Sequence, residues 1–218
     1  TAKTTVAAER EHVLFYISDI LYEIVPVFYE ALRTALDATY PGVFAGQPLP
    51  RILSFGSWVG GDMDGNPNVD HRTLAASLAE HRRLIVQRYV QETRELAASL
   101  SQSLSEVSVA DEVTARVAHY AEQMPDTAAG IPVGSADMPY RCLLLFCAAR
   151  LEQVLTPKDV QRTADETAGA AANLSTATTA YTGCDEFLDD IQLVRDSLAD
   201  NRGAHAGLFP VDRLIWRI

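Results

Sequence analysis

Apolar residues recur along most of the 218-residue chain at the three- and four-residue spacing typical of amphipathic α-helices. This pattern predicts one long helix from near Asp70, a second from near Ser108, a third from around Pro139, and a fourth over residues 187–198. The predicted buried stripes are, in chain order, Leu74, Leu78, Ile85, Tyr89, Leu96 and Leu100; Val109, Val113, Val117, Tyr120 and Met124; Leu143, Leu144, Cys147, Leu151 and Val154; and Phe187, Leu188, Ile191, Val194 and Leu198. Loops are predicted over residues 125–134, 156–159 and 203–207, whereas residues 163–182 fit either a thin helix or a connector. We therefore expect a mainly α-helical chain that packs as one body.

One short segment departs from the helical pattern. Residues 52–55, Ile-Leu-Ser-Phe, predict a single short β-strand, which leads into the loop SFGSWVGGDMDGNPNV over residues 54–69. The pair Gly60-Gly61 can adopt positive φ and allows the backbone to approach a neighbour closely. A second convincing strand is absent from the sequence, so we expect the hydrogen-bonding partners of this strand to lie in other parts of a larger protein.

The oxygen-bearing side chains of the loop have three interpretations. Asp62, Asp64 and Asn66 have the D-x-D-x-N order that begins an EF-hand, but Pro67 and Thr73 stand where that motif needs glycine and glutamate. A magnesium site is more compatible with so few protein oxygens. The third interpretation is structural: these side chains bond loop amides and nearby arginines and so hold Trp58 and the glycines in place.

Composition favours a globular protein of a reducing, cytoplasmic compartment. Hydrophobic residues make up 48% of the chain, and the net charge of -11 disfavours binding to nucleic acids or anionic membranes. The three cysteines are too few for a disulfide scaffold. We expect no segment that crosses a membrane, because no apolar run in the sequence is long enough.

The loop resembles the segment F-x-S-W-M-G-G-D-R-D-G-N-P of phosphoenolpyruvate carboxylases. The matching residues are Phe55, Ser57, Trp58, Gly60, Gly61, Asp62, Asp64, Gly65, Asn66 and Pro67. Val59 replaces the usual methionine and Met63 the commonest arginine, which removes a cation between two aspartates. We interpret Met63 as the mark of a distinct bacterial-type branch.

Weaker similarity to this family extends over most of the chain. Residues 138–141, Met-Pro-Tyr-Arg, resemble the E-P-Y-R element, and residues 208–218 resemble a helix that leads into the next barrel strand. Residues 9–36 resemble a helical pair, interrupted here at Pro26. The family's T-A-H-P-T-E element belongs upstream of residue 1, and its R-Q-E-S strand and metal-binding acids belong downstream of residue 218. The resemblance therefore implies that residues 1–218 are a single interior segment of a larger (β/α)8 barrel with many extra helices.

The resemblance also implies an activity. Phosphoenolpyruvate carboxylases add bicarbonate to phosphoenolpyruvate with magnesium, and the oxaloacetate and phosphate they release make this an anaplerotic fixation of carbon. The residues that it places near the substrate pocket are Trp58, Gly60, Gly61, Asp62, Asp64 and Asn66, although Trp58 could instead be buried at the foot of the strand. In some members an arginine at the place of Arg141 helps to bind an anionic activator, while the alternative for Arg141 is a surface ion pair.

The resemblance also implies that the main catalytic groups lie outside this chain. Because the catalytic histidine and the metal ligands belong elsewhere, we expect the isolated segment to be inactive, with its parent a cytoplasmic, allosteric homotetramer. An alternative from another class is a helical binding or scaffold module, in which the glycine loop is a docking surface without chemistry.

Overall fold

The computed structural model describes residues 5–44, 47–62, 69–105, 107–155, 179–201 and 205–218. The described helices are α1 (Val6–Phe15), α2 (Tyr22–Thr39), α3 (His71–Ser99), α4 (Asp111–Gln123), α5 (Pro125–Gly130), α6 (Pro139–Val154), α7 (Cys184–Asp200) and α8 (His205–Arg217). A π-helical segment, Tyr16–Leu21, joins α1 to α2, and a 3₁₀ turn, Val133–Ser135, precedes α6. The prediction of a mainly helical chain is confirmed.

The chain divides into two compact units, where the sequence predicted one packed body. The first unit is Thr1–Ile85 together with Arg217, and the second is Val86–Trp216 together with Ile218. Helix α3 therefore contributes residues to both units. The two units differ in how completely they bury their apolar side chains and in what their polar contacts stabilise.

The first unit begins with 34 residues of continuous helical structure, Val6–Thr39. The interruption predicted at Pro26 is absent, since α2 continues through that residue and the irregular turn lies earlier, at Tyr16–Leu21. Pro26 has no N–H to donate to the carbonyl of Tyr22. Arg217 replaces that donor. Its Nε donates to the Tyr22 carbonyl oxygen at 3.1 Å, and its Nη2 lies 2.6 Å from Glu23 Oε2. Arg217 thus satisfies the carbonyl that Pro26 leaves without an intrahelical donor.

The same helical stretch corrects the expectation about membrane-spanning segments. Within Val6–Thr39 an 18-residue window reaches a mean hydropathy of 1.3, and 28% of that window is buried. By length and composition alone, this stretch is long and apolar enough to cross a bilayer. Core helices of soluble proteins meet the same criterion, so the finding does not by itself assign a location.

The predicted strand over residues 52–55 is wrong for this chain. No β-strand occurs among the residues that the structure describes, and residues 47–58 have no regular secondary structure. The Ile52 N–H donates to the Tyr29 hydroxyl at 2.9 Å, where a strand would donate to a neighbouring carbonyl. Because a strand is stable only beside a partner, its apolar sequence is not sufficient to form one here.

The second unit has a core formed by α4, α6 and α7. Helix α6 is buried on most of its faces, and α7 buries four residues of its predicted stripe, Phe187, Ile191, Val194 and Leu198, while Leu188 is only partly buried. Helix α4 begins at Asp111, later than predicted from Ser108, and the backbone N–H of the preceding Ala110 donates to the Ser197 hydroxyl at 3.0 Å. Two predicted loops are partly helical, since α5 occupies Pro125–Gly130 and α8 begins at His205.

Candidate functional site

The glycine loop contains a tight turn, Trp58–Asp62, which we call the glycine corner. The N–H groups of Gly61 and Asp62 both donate to the Trp58 carbonyl, at 2.9 and 3.1 Å. The N–H of Val59 donates to the Ser57 hydroxyl at 3.2 Å. Gly60 has φ of +82°, in the left-handed region where a side chain is strained. These bonds fix the shape of the corner.

Helix α3 packs directly against the two glycines of the corner. A Cβ at position 60 would lie 2.1 Å from the Ser77 hydroxyl oxygen and 3.0 Å from the Ser77 Cβ. A Cβ at Gly61 would lie 3.6 Å from Leu74 Cδ1, which is an ordinary contact. Position 60 thus requires glycine for two reasons, its backbone conformation and the close approach of Ser77.

Ser77 is a buried residue with both sides of its hydroxyl engaged. Its side chain is 2% exposed, its hydroxyl donates to the Thr73 carbonyl at 2.8 Å, and its oxygen accepts from Arg10 Nη1 at 3.1 Å. Neither Arg10 nor Ser77 belongs to the glycine-loop motif. Sequence reasoning missed them because their contact joins α1 to α3 across 67 residues.

Trp58 and its neighbour Val59 differ sharply in their exposure to solvent. The Trp58 side chain is 75% exposed, whereas Val59 is 6% exposed. The alternative of a tryptophan buried at the foot of a strand is therefore not seen in this chain. An exposed indole on a rigid turn presents an apolar face and one N–H donor to whatever lies next to it.

The carboxylates of the loop are only partly within the described residues. Asp62 is exposed, while Met63, Asp64 and Asn66 lie outside the described part of the chain. Asp70, just after the loop, accepts hydrogen bonds from the N–H groups of Arg72 and Thr73 at 3.0 and 2.9 Å. These bonds, that from the Thr73 N–H above all, lower the pKa of Asp70. Asp70 thus caps the start of α3, as an acid at that place is suited to do.

Arg141 contacts the last turn of α3. Its Nε lies 2.9 Å from the Ala97 carbonyl oxygen, its Nη2 lies 2.8 Å from that of Ala98, and its Nη1 lies 3.5 Å from the Ser135 hydroxyl. Carbonyls at the end of a helix lack internal donors, so a guanidinium stabilises them well. Activator binding by Arg141 stays a prediction, and an anion would compete with these two carbonyls.

The second unit contains a buried carboxylate that sequence reasoning missed. Asp190 is fully buried on α7, and its Oδ2 accepts from the hydroxyls of Tyr120 and Tyr181 at 2.8 and 2.6 Å. Arg116 bonds its Oδ1, and Arg150 Nη1 lies 3.3 Å from its Oδ2. The signal in the sequence was an acid within the apolar stripe of α7, three residues after Phe187 and four before Val194.

Arg150 organises the other side of this cluster. Its Nε donates to the Thr179 carbonyl at 2.8 Å, its Nη2 lies 3.0 Å from Glu186, and its guanidinium stacks 3.8 Å from the centre of the Tyr181 ring. Burial, and then the Asp190 carboxylate, raise the pKa of Tyr120 to about 12. Burial likewise raises the pKa of Tyr181. Both phenols donate hydrogen bonds to Asp190, and the guanidinium groups of Arg116 and Arg150 offset its negative charge.

A family model described as phosphoenolpyruvate carboxylase matches residues 1–218. The chain belongs to the phosphoenolpyruvate carboxylase family. The resemblance first drawn from the glycine loop is thereby confirmed over the whole chain. Phosphoenolpyruvate carboxylase membership by itself assigns no role to Trp58 or Arg141.

Individual phosphoenolpyruvate carboxylases show how much of the enzyme this chain represents. It is 44% identical over 216 residues to the phosphoenolpyruvate carboxylase of Xanthomonas oryzae pv. oryzae, a match that covers 99% of this chain and 22% of that protein. It is 31% identical over 202 residues to the enzyme of Roseiflexus castenholzii, a match that covers 93% of this chain and 21% of that protein. It is 29% identical over 199 residues to the enzyme of a Synechococcus species, a match that covers 90% of this chain and 18% of that protein. The chain spans 22% or less of the length of these three relatives.

Proposed function

We propose that this chain is an interior segment of a phosphoenolpyruvate carboxylase. In the complete polypeptide, the glycine corner forms one wall of the pocket in which phosphoenolpyruvate and bicarbonate give oxaloacetate and phosphate. The observation that carries the proposal is the exposed Trp58 on a corner whose backbone is fixed by Gly60 and Ser77. A fixed wall suits catalysis because reacting groups must be held in place with little freedom.

The chemistry of the corner supports a water-excluding role. The Trp58 indole supplies a broad apolar surface, and the carboxylation passes through intermediates that water would destroy. In barrel enzymes, active sites gather on the loops at the C-terminal ends of the strands.

Exposed apolar residues of the first unit also support a larger polypeptide. Ile24, Val27 and Phe28 on α2 and Phe55 before the corner are between 38% and 55% exposed. Their spacing on α2 places them on one face of the helix. We propose that other parts of a soluble, cytoplasmic, homotetrameric carboxylase cover this face, so that α2 is a packing helix and does not cross a membrane.

The magnesium that the family implies is assigned to residues outside this segment. No group of three His, Cys, Asp or Glu side chains that could hold a metal ion occurs among the described residues. Asp70 is committed to capping α3. The described residues therefore do not fit a metal centre, and no step of the reaction is assigned to magnesium here.

Two experiments test the proposal. The purified 218-residue chain, assayed with phosphoenolpyruvate, bicarbonate, magnesium, malate dehydrogenase and NADH, should show no turnover, and oxidation of NADH above background would refute the prediction of an inactive segment. The parent reading frame should contain T-A-H-P-T-E upstream and R-Q-E-S downstream. A natural start near Thr1 and stop near Ile218 would instead support the helical binding or scaffold module.

The role of the corner itself is tested in the parent enzyme. Trp58→Leu should lower kcat/KM by roughly tenfold or more, because a displaced pocket wall misplaces the substrate. Trp216→Phe, at the other tryptophan of this chain, should have a much smaller effect. Equal kcat/KM in the two variants would remove Trp58 from the pocket.

A further inference from the structure

We propose that Arg10 and Ser77 are positioning residues for the glycine corner. Ser77 transmits the contact of the Arg10 guanidinium to Gly60, and together they hold the backbone of the corner, from which Trp58 extends. The catalytic purpose of this device rests on the proposed function. The device itself rests on the geometry of the first unit.

The hydrogen bonds within residues 57–62 shape the corner without attaching it to a helix. Both bonds to the Trp58 carbonyl close the turn on itself, and the bond from Val59 goes to the nearby Ser57. Attachment comes from close packing on α3, where Gly60 meets Ser77 and Gly61 meets Leu74. The Ser77 side chain is therefore the part of α3 in closest contact with the backbone of the corner at Gly60.

The Ser77 side chain is fixed from two sides. Its hydroxyl hydrogen points to the Thr73 carbonyl, and its oxygen receives the charged Arg10 donor at 3.1 Å. A hydrogen bond from a guanidinium is stronger than one between neutral groups. Loss of the Arg10 donor would leave the buried Ser77 oxygen with one partner fewer and its side chain, next to Gly60, held by the Thr73 carbonyl alone.

Arg10, on α1, also affects the turn of α3 that follows Ser77. The positive charge of Arg10 contributes to lowering the pKa of Glu80, after the larger effect of Arg83, and that of His81, after the larger effect of burial. The contact of Arg10 with α3 is the hydrogen bond to Ser77, and its charge is also felt by Glu80 and His81. It ties α1 to α3 at the level where the corner packs.

Amide exchange, measured by NMR on the 218-residue chain, tests this inference. In Arg10→Met and in Ser77→Ala, the Gly61 and Asp62 amides should exchange roughly tenfold faster, the effect of weakening one charge-assisted contact. Arg10→Lys keeps a charged donor and should restore slow exchange. The matched control is Arg72→Met, because Arg72 is an exposed arginine of the same unit.

The readout separates local loosening from unfolding. Amides of α6, which lies in the second unit, should keep their rates in every variant. If Arg10→Met speeds the α6 amides as well, Ser77→Ala decides the question at the corner. Unchanged exchange of Gly61 and Asp62 in Ser77→Ala, or equal exchange in Arg10→Lys and Arg10→Met, overturns the inference.

This experiment stands apart from the test of activity. It needs neither substrate nor the parent enzyme. A parent without carboxylase activity would refute the proposed function and leave the exchange result intact. Conversely, an active parent with unchanged exchange in the variants would refute the positioning device alone.

Discussion

The two units of the chain bury their side chains in opposite ways. In the second unit the stripes of α4, α6 and α7 face inward, and even a carboxylate, Asp190, is enclosed with its partners. In the first unit, apolar side chains such as Phe15, Ile24, Val27 and Trp58 are at least half exposed. The second unit thus completes its own core, whereas the first presents apolar surface that a larger polypeptide could cover.

The polar contacts of the two units also serve different purposes. Around Asp190 they neutralise a charge that burial would otherwise make very unfavourable. In the first unit, Arg10 and Ser77 are used to hold a backbone corner, and Arg217 to satisfy the carbonyl freed by Pro26. Polar groups of the second unit therefore stabilise a core, while those of the first unit position an exposed feature.

The largest expected change in the free energy of unfolding comes from a substitution in the core of the second unit. Asp190→Asn keeps the shape of the side chain but removes the negative charge that faces Arg116 and Arg150. Removing one partner of a buried ion pair costs about 3–5 kcal/mol, and here the Arg150 guanidinium, only 12% exposed, loses its pairing with Asp190. Urea unfolding, followed by the fluorescence of Trp216, measures the loss.

The matched control for this prediction is the neighbouring acid. Asp189 is exposed, so Asp189→Asn should change the free energy of unfolding by less than about 0.5 kcal/mol. Similar losses in the two variants would show that the Asp190 cluster is no more important than surface charge. The contrast between the two units would then lose its energetic basis.

The second prediction concerns the backbone of the first unit. Gly60→Ala should lower the free energy of unfolding by about 2–4 kcal/mol, because it adds a strained φ and an overlap with Ser77. Gly42 offers a matched control, with φ of +77° but no atom within 4 Å of the place that an alanine Cβ would occupy. Gly42→Ala should therefore show only the conformational part, about 1–2 kcal/mol.

A double variant isolates the Ser77 contact. Gly60→Ala combined with Ser77→Gly removes the overlap, so the pair should be more stable than the sum of the single losses predicts. Thermal unfolding of the four proteins in this cycle gives the coupling. Strict additivity would mean that Ser77 does not press on position 60.

Local patterns in the sequence predicted the helices better than their exact faces and ends: Leu78, predicted to be buried on α3, is 58% exposed, and Pro125–Gly130 is helical where a loop was predicted. The stripe of α7 could be predicted because an amphipathic helix repeats its apolar residues at fixed spacing. The requirement for glycine at position 60 could be anticipated from Gly60-Gly61, although the Ser77 contact that enforces it could not. Non-local features escaped prediction, because Asp190 gathers partners 70 and 74 residues away and no pattern marks them.

The missing strand and the uninterrupted α2 have the same explanation. A strand over residues 52–55 needs a neighbouring strand, and the structure describes none for it. Pro26 should interrupt a helix unless a distant donor satisfies the Tyr22 carbonyl, and Arg217 does so across 195 residues. In both places the outcome depends on a remote partner, which local sequence cannot show.

The third prediction sharpens the comparison through pH. Folding raises the pKa of Tyr120 from its ordinary value of 10.0 to about 12, so the fold favours the protonated phenol facing Asp190 and Arg150. That contribution to stability is complete below pH 10 and is lost as the pH rises towards 12, by roughly 2–3 kcal/mol. Urea unfolding between pH 8 and pH 11.5 measures it.

Substituted tyrosines assign the pH effect. Tyr120→Phe is less stable at neutral pH but should lose less additional stability on going to pH 11.5. Tyr40, which is 52% exposed in the first unit, provides the control, since Tyr40→Phe should follow the unsubstituted chain at every pH. A Tyr120→Phe curve parallel to that of the unsubstituted chain would show that this phenol does not carry the alkaline loss.

The smallest expected effect on stability tests the exposed face of α2. Ile24→Gln with Val27→Gln replaces two side chains that are 51% and 55% exposed. Each should change the free energy of unfolding by no more than about 0.5 kcal/mol, while binding of an apolar dye and self-association, measured by sedimentation, should fall. Val133→Gln, at a residue that is 93% exposed in the second unit, should change neither property, because an isolated apolar side chain forms no patch. A loss of several kcal/mol in the α2 variant would instead mean that this face is already covered within the chain, and the first unit would then be as self-contained as the second.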